Sequence, residues 1–206
     1  HPVSFSRYKE AFDLVMENLN YGNTYLLNLT FPTKIEVNLS MNEIYHASRA
    51  RYKMLVPGRF VFFSPEPFIR IEKDAIYSYP MKGTIDADLP DAGELLLNDK
   101  KELAEHITIT DLIRNDLSIV AKKVRVNRFR YLETIRTSER HLLQTSSEIS
   151  GILREEFRQS FGRILEKMLP AGSVSGAPKE KTTEIIRSAE GIDRGYYTGV
   201  AGFYDG

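Results

Sequence analysis

The feature that most constrains the fold of this chain is the alternation of two hydrophobic periods along it. Apolar residues recur at three- and four-residue spacings over Phe5 to Leu19 and over Lys100 to Leu117, which predicts amphipathic helices. Other segments are rich in β-branched and aromatic residues and predict strands. Because amphipathic helices bury their apolar side against sheets, this alternation predicts a mixed α/β layer architecture.

The same two patterns place the remaining elements. Further helices are predicted at Leu39 to Arg51 with Ser40 as N-cap, around Phe157 to Met168, and at Lys179 to Ala189 with Pro178 at the first helical position. Predicted strands are Thr24 to Phe31, Arg59 to Phe63, a hairpin from Ile69 to Tyr79 that turns at Glu72-Lys73-Asp74, Val124 to Tyr131, Thr137 to Leu153, and Tyr196 to Tyr204. The acidic stretch Asp86 to Asp91 predicts a surface loop.

The composition argues against several classes of function. Lysine plus arginine and aspartate plus glutamate number 28 each, so no excess charge favours nucleic acid or a membrane surface as partner. The sequence contains no cysteine, which excludes disulfides and thiolate metal sites and fits a reducing compartment such as the cytoplasm. No apolar run approaches the length of a membrane span, and the first residues do not form a signal peptide. Because the chain begins with His1 rather than methionine, we expect it to be a piece of a longer one.

The segment Tyr79-Pro80-Met81-Lys82-Gly83-Thr84 carries the first candidate for chemistry. Pro80 cannot donate to a central ladder, so the strand is expected to stop there, and Gly83 allows a sharp bend or a close approach to a ligand. Lys82 follows an apolar methionine, and an amine held against apolar surface becomes a nucleophile at neutral pH. The alternative is a solvated lysine in a polar turn, and these six residues alone leave both interpretations open.

Two further ionisable residues stand out by their position. Glu105 shares a helix face with Ile109 and Leu112, so its carboxylate borders the core and needs a cation, a metal or hydrogen-bond donors. The plainer alternative for Glu105 is a salt bridge at the helix edge. His141 lies in a predicted strand, where it is either a structural histidine or a proton-transfer group, since its ordinary pKa suits that task.

The loop Ala171 to Lys179 consists mostly of small residues and opens a predicted helix. Such a loop can present free backbone N–H groups to an anionic ligand. It matches neither a Walker loop nor a dinucleotide-binding fingerprint, because neither glycine spacing is present.

Taken together, seven segments in order along nearly the whole chain resemble the chorismate-utilising enzymes, the family of anthranilate synthase component I, aminodeoxychorismate synthase component I, isochorismate synthase and salicylate synthase. The matching segments are Gly22-Asn23-Thr24-Tyr25-Leu26-Leu27-Asn28-Leu29, Ser64-Pro65-Glu66-Pro67-Phe68, Pro80-Met81-Lys82-Gly83-Thr84, Lys101-Glu102-Leu103-Ala104-Glu105-His106, Asp111-Leu112-Ile113-Arg114-Asn115-Asp116, Leu169-Pro170 through Gly176-Ala177-Pro178-Lys179, and Arg194-Gly195-Tyr196-Tyr197-Thr198-Gly199. The resemblance implies an α+β fold, a β-sheet sandwich flanked by helices, with residues 1–206 forming one chorismate-binding catalytic domain.

Two positions indicate the branch of the family. Anthranilate, isochorismate and salicylate synthases look like Pro-Ile-Ala-Gly-Thr where this chain has Pro80-Met81-Lys82-Gly83-Thr84, and aminodeoxychorismate synthases carry lysine there. Leu26 stands where isochorismate and salicylate synthases have a water-activating lysine and amino-transferring members usually have glutamine. Leucine cannot act as a base, so water addition is disfavoured. The resemblance is therefore closest to aminodeoxychorismate synthase component I.

The resemblance also implies roles for individual residues. Lys82 would be the nucleophile that forms a covalent adduct with chorismate, while Glu66 and His141 would be the acid/base groups. The substrate-binding positions would be Gly83, Thr84 and Tyr197, and Glu105 would bind Mg²⁺ directly with Glu102 nearby.

Further implications concern the reaction and its partners. The chain would convert chorismate and ammonia to 4-amino-4-deoxychorismate for p-aminobenzoate and folate synthesis, with ammonia from a glutamine amidotransferase subunit. The alternatives are anthranilate synthase component I and a non-catalytic chorismate-binding fragment. The family pattern continues beyond position 206 with an arginine, a Gly-Ala-Gly loop and a further metal-binding glutamate, so the domain is expected to lack its C-terminal part. We therefore expect that these 206 residues alone do not turn over chorismate.

Overall fold

The structure is a computed structural model that describes residues 1–137 and 140–205, and its contacts divide the chain into two compact units. One unit comprises residues 1–38 together with 169–206, and the other comprises residues 39–168. The prediction that residues 1–206 act as one catalytic domain concerns function and stays a prediction.

The described residues form helices and mostly antiparallel strands. The helices are α1 (Phe5–Asn20), α2 (Met41–Ala47), α3 (Ala92–Asn98), α4 (Lys100–Val120), α5 (Phe161–Met168) and α6 (Lys179–Glu190). The strands are β1 (Leu26–Leu27), β2 (Tyr52–Val56), β3 (Phe60–Ser64), β4 (Arg70–Glu72), β5 (Ala75–Ser78), β6 (Met81–Asp86), β7 (Ala121–Arg136), β8 (His141–Leu153) and β9 (Gly176–Ala177).

A five-stranded antiparallel sheet organises the unit 39–168. β5 and β6 lie end to end along one edge of β8, in a register that is continuous from Ala75 to Lys82. β7 pairs with the other edge of β8, and β4 completes the predicted hairpin with β5. Pro80 lies at the break between β5 and β6, because it has no N–H to donate. Its carbonyl still accepts a hydrogen bond from the Ser147 N–H at 3.0 Å. The predicted stop of the strand at Pro80 is therefore confirmed, although pairing with β8 resumes at Met81 in the next strand, β6.

Helix α4 covers one face of this sheet and contacts β6, β7 and β8. Its apolar residues Ile109, Ile113 and Leu117 are buried, as is Ile149 on β8. The helix begins at an N-cap, Asp99, whose side chain accepts a hydrogen bond from the Glu102 N–H at 2.9 Å. The periodicity of Lys100 to Leu117 predicted this helix correctly.

The start of the same unit differs in part from the sequence prediction. Ser40 caps α2 as predicted, in a capping box with Glu43, but the helix ends at Ala47 instead of Arg51. The residues Tyr52–Val56 form β2 and pair with β3. Helix α3 was also not predicted, because a short run between two acidic turns shows too few periods to be recognised.

In the unit formed by residues 1–38 and 169–206, α1 packs against α6. The buried cluster consists of Ala11 and Val15 from α1 with Ile185 and Ala189 from α6. Two predictions fail in this unit. Of the predicted strand Thr24 to Phe31, only Leu26–Leu27 forms a strand, which pairs with β9. The predicted strand Tyr196 to Tyr204 is wrong, because the described part of the chain offers it no strand to pair with, and β-forming residues need a partner strand.

None of the helices within residues 1–137 and 140–205 combines the length and the apolar character that a membrane crossing requires.

Candidate active site

Lys82 lies in β6, directly opposite Thr145 of β8. Paired residues of neighbouring strands project to the same face of a sheet, and Thr145 contacts His106 of α4. Lys82 therefore projects to the face that α4 covers, where its Nζ lies 3.6 Å from Oε2 of Glu105. The side chains of Lys82 and Glu105 remain 42% and 40% exposed, so the amine stands at an open edge of the packed face. The alternative that places Lys82 in a polar turn is wrong, because Lys82 belongs to β6.

Gly83 forms a bulge immediately after Lys82. Its φ of +74° lies in the left-handed region, and the register with β8 shifts between Lys82 and Thr84. Thr84 consequently pairs with Gln144, the neighbour of Thr145, so Thr84 and Lys82 project to opposite faces. The bulge thus separates two of the predicted site residues, and substrate binding by Thr84 and Gly83 stays a prediction.

The first turns of α4 bring two carboxylates to this edge. Glu105 lies 3.3 Å from Nζ of Lys101 as well as near Lys82. Glu102 lies against the bulge, since a methyl group built on Gly83 would come within 2.9 Å of its Oε2. Both interpretations of Glu105 thus have a basis, because it forms a helix-edge pair with Lys101 and also faces the candidate nucleophile.

The carboxylates at this edge of the sheet are enough to hold Mg²⁺, although they are few. Within residues 1–137 and 140–205 no three histidine, aspartate or glutamate side chains are grouped to hold a metal ion. Mg²⁺ is commonly held by only one or two carboxylates, with waters and substrate oxygens completing its shell. Glu105 and Glu102, three residues apart on α4 and partly exposed, offer that pair. Magnesium binding itself stays a prediction.

Among the carboxyls near Lys82, that of Glu66 has the most strongly shifted pKa. It follows β3 in a turn in which its N–H donates to Oγ of Ser64 at 3.1 Å. Although the residue keeps an exposed surface, the surrounding protein removes water from the carboxyl, and this burial raises the pKa of Glu66 to about 7. The charge of Lys82 opposes that rise in the pKa, so the amine lies within electrostatic range of this carboxyl. A carboxyl half ionised at neutral pH is suited to giving and taking protons.

His106 is a residue of this site that sequence reasoning missed. It is fully buried on α4, with Nε2 2.7 Å from Oγ of Ser147 and Nδ1 3.3 Å from Oγ1 of Thr145. Burial and the nearby charge of Arg130 lower the pKa of His106 to about 4, against a raising effect from a hydrogen bond to the backbone of Lys82. His106 is therefore a neutral imidazole at physiological pH. A signal was present, because His106 shares a helix face with the apolar residues three and seven positions later.

Within the unit of residues 39–168, the structure does not bring His141 to Lys82. His141 is exposed at the first residue of β8, and Lys82 pairs four residues further along that strand, a separation of about 13 Å. Tyr197 belongs to the other compact unit, where it is exposed after the end of α6. The catalytic role of His141 and the substrate-binding role of Tyr197 stay predictions.

Solved structures show where this fold occurs. The chain superposes on anthranilate synthase component I from Streptococcus pneumoniae with a TM-score of 0.69 at 21% identity, covering 92% of this chain and 44% of that one. The predicted α+β fold of the chorismate-utilising enzymes is confirmed by this match.

Sequence comparison identifies the family. The profile of the family described as chorismate binding enzyme matches residues 2–206. The chain belongs to the chorismate binding enzyme family.

Two curated relatives indicate the range of sequences that resemble the chain. It is 54% identical over 206 residues to an uncharacterised PabA-like protein of Haemophilus influenzae, covering all of this chain and 63% of that protein. It is 31% identical over 201 residues to 2-amino-4-deoxychorismate synthase of Streptomyces globisporus, covering 92% of this chain and 40% of that protein. The chain thus spans less than two thirds of the length of either relative.

Proposed function

We propose that this chain carries the nucleophile and the acid/base group of an aminodeoxychorismate synthase component I. The observation that supports this most is the placement of Lys82 beside two carboxyls, Glu105 at 3.6 Å and Glu66 within electrostatic range. The enzyme would convert chorismate and ammonia to 4-amino-4-deoxychorismate and water. A lysine in this position offers a nucleophilic route that an alanine does not.

In the first half of the proposed reaction, Glu66 passes a proton from the Lys82 ammonium to the departing hydroxyl. The Glu66 carboxylate first accepts that proton, which leaves Lys82 as a neutral amine. The amine then attacks C2 of chorismate, the two ring double bonds shift toward C4, and the C4–O bond breaks. Glu66 returns the proton to the hydroxide, so water leaves and a secondary ammonium joins Lys82 to C2. A pKa of about 7 allows Glu66 to act in both directions near neutral pH.

The second half reverses the displacement with a different nucleophile. Ammonia attacks C4, the ring double bonds shift back, and the C2–N bond to Lys82 breaks. Because the adduct nitrogen is an ammonium, Lys82 leaves as a neutral amine and the product carries the new ammonium at C4. Two displacements therefore replace one difficult exchange of hydroxide for ammonia.

A magnesium ion fits this proposal through Glu105, with Glu102 beside it. When bound, Mg²⁺ would neutralise the ring carboxylate of chorismate. Glu105 already lies 3.6 Å from Nζ of Lys82, so this residue would link the metal-binding edge to the nucleophile.

Ammonia would come from a separate glutamine amidotransferase subunit in the cytoplasm. The sequence has no cysteine, so the thiol chemistry that releases ammonia from glutamine has no nucleophile in these residues. The proposal therefore expects ammonium salts to support amination by the protein as its gene encodes it.

The second candidate is amination at C2, as in anthranilate synthase component I. It is favoured by the name of the Streptomyces globisporus relative, 2-amino-4-deoxychorismate synthase, which gives the amino group position 2. Lys82 argues for C4, because a lysine that first occupies C2 directs the incoming ammonia to C4.

Product identification decides between these functions. The protein as its gene encodes it would be incubated with chorismate, ammonium and Mg²⁺, and the products separated and assigned by NMR. The proposal expects 4-amino-4-deoxychorismate as the sole aminated product. Anthranilate or an amine at C2 would overturn it in favour of the second candidate, and binding without turnover would support a non-catalytic role.

The pH profile tests the role of Glu66. Because the Glu66 carboxylate must accept the lysine proton, kcat/KM should rise with pH around a midpoint of about 7. Glu66→Gln should lower kcat by roughly 10²–10⁴-fold and abolish that limb of the profile. Glu72→Gln, a change at an exposed carboxylate on β4, should leave both unchanged.

A stability measurement checks the same group without turnover. The pKa of Glu66 is raised on folding, so the stabilisation that it gives in its protonated form is lost as pH rises through about 7. The free energy of unfolding should therefore fall as pH rises from about 4.5 to about 7 in the parent, and fall less in Glu66→Gln. Identical slopes in both proteins would contradict the assignment.

A further inference from the structure

We propose that His106 is a positioning residue for Lys82, with a proton on Nδ1 that it donates to the hydroxyl of Thr145. The contribution of His106 to catalysis rests on the proposed function, whereas its tautomer and its hold on Lys82 do not. His106 is fully buried and lies next to Glu105 in α4, on the side of the helix that faces β6 and β8.

The hydrogen bonds around the ring have only one consistent direction. The hydroxyl of Thr145 donates to the backbone carbonyl of Lys82, which cannot donate in return. A hydroxyl has a single proton, so at its contact with His106 Nδ1, 3.3 Å away, Thr145 must accept. His106 Nδ1 therefore carries a proton.

The other side of the ring agrees with this direction. The Arg130 N–H donates to Oγ of Ser147 at 2.9 Å, and that oxygen lies 2.7 Å from Nε2 of His106. The Ser147 hydroxyl keeps its own proton after accepting that hydrogen bond, so it is able to donate to Nε2. The chain of donors then runs one way, from the Arg130 amide through Ser147, His106 and Thr145 to the carbonyl of Lys82.

This chain of hydrogen-bond donors ends at Lys82, the residue that needs a fixed position. The Lys82 carbonyl lies at the start of the bulge, where the register between β6 and β8 shifts and the regular ladder is interrupted. A hydrogen bond from Thr145, itself held by His106, fixes the carbonyl at that irregular point. Glu105, the neighbour of His106 in α4, lies 3.6 Å from the Lys82 amine.

A merely structural histidine would stabilise the fold without a specific effect on Lys82. Removing the ring therefore has different effects under the two roles. Loss of packing at any buried residue of α4 lowers stability, but only loss of the donor chain should alter the environment of the Lys82 amine. The matched control is Leu117→Ala, which changes a fully buried residue of the same helix.

The tautomer is measured by ¹⁵N NMR of the histidine side chains at neutral pH. The proposal expects a protonated Nδ1 for His106, assigned by loss of its signals in His106→Asn. A ring protonated on Nε2 alone would overturn the proposal.

The effect of His106 on Lys82 is measured as the rate at which an amine-acylating reagent modifies Lys82. Peptide mass spectrometry gives that rate. His106→Ala should change that rate at least threefold, whereas Leu117→Ala should not. Lys101, 77% exposed beside the same Glu105, serves as the internal reference in each protein. His106→Asn, whose amide can replace the Nδ1 donor, should restore much of the parent rate. Equal Lys82 rates in His106→Ala and the parent, or equal changes in His106→Ala and Leu117→Ala, would leave His106 a structural residue and contradict the proposal.

Steady-state kinetics of the His106 and Lys82 variants distinguish failure of this proposal from failure of the proposed function. In the protein as its gene encodes it, His106→Ala should lower kcat for amination by roughly ten- to a hundredfold, with a smaller effect on KM for chorismate. If Lys82→Ala keeps full activity, the proposed function fails, while the tautomer and labelling results still decide the role of His106. If Lys82 proves essential and kcat of His106→Ala equals that of the parent, the positioning role fails alone.

Discussion

Replacing Lys82 by alanine is expected to abolish amination of chorismate at C4, with kcat lowered by about a thousandfold or more. The reason is chemical: without an amine at this position no adduct forms at C2, and the C4 hydroxyl must leave without a nucleophile to displace it. The rate is measured with saturating ammonium and Mg²⁺ in the protein as its gene encodes it, so that supply of ammonia does not limit it.

Two control variants separate loss of the nucleophile from loss of charge. Lys82→Arg keeps a cation near Glu105 and Glu66 but removes the nucleophile, because a guanidinium stays protonated, so it should be as inactive as Lys82→Ala. Lys101→Ala removes the other cation beside Glu105 and should retain most of the activity. A Lys82→Ala protein that aminates chorismate at the parent rate would refute covalent catalysis.

Replacing Glu190 by glutamine is expected to destabilise the unit of residues 1–38 and 169–206 by about 3–5 kcal/mol. Glu190 is 1% exposed, and its carboxylate accepts hydrogen bonds from Arg194 at 2.6 and 2.8 Å and from the Thr30 N–H at 2.8 Å. The guanidinium of Arg194 also donates to the carbonyls of Asn28 and Val174. Removing the carboxylate charge leaves a largely buried cation without its counterion, which costs far more than a surface pair.

Chemical denaturation measures this effect, with Glu184→Gln as the matched control. Glu184 lies on the same helix, is 63% exposed and pairs with Lys181 at 2.9 Å. Exposed pairs contribute little, so this variant should leave the free energy of unfolding nearly unchanged. Equal effects of the two substitutions would show that burial does not strengthen the Glu190–Arg194 pair.

The sequence predicted the parts of this site that local patterns define. The periodicity of α4 and the position of Glu105 beside its apolar face are both local properties, and both predictions held. The bulge at Gly83 was not predicted, because a glycine after a lysine indicates freedom of the backbone without specifying the register of a strand far along the chain. That register, set by β8, decides that Lys82 projects toward α4 and Thr84 away from it.

The residues that sequence reasoning missed depend on distant contacts. His106 matters through Thr145 and Ser147, 39 and 41 residues away along the chain, and no local pattern reveals such partners. The segment Tyr196 to Tyr204 shows the opposite failure, since its composition favours a strand but pairing decides the outcome. Strand formation and buried hydrogen bonds are both tertiary properties, which explains why both were misjudged.

The most direct test of covalent catalysis by Lys82 is a half-reaction without ammonia. The protein as its gene encodes it would be mixed with chorismate and Mg²⁺ alone, quenched rapidly, and its peptides examined by mass spectrometry. Without ammonia the second displacement cannot occur, so the peptide that contains Lys82 should carry chorismate less one water, and added ammonium should convert that adduct to 4-amino-4-deoxychorismate. An unmodified Lys82 in a sample that aminates chorismate once ammonium is supplied would contradict the account.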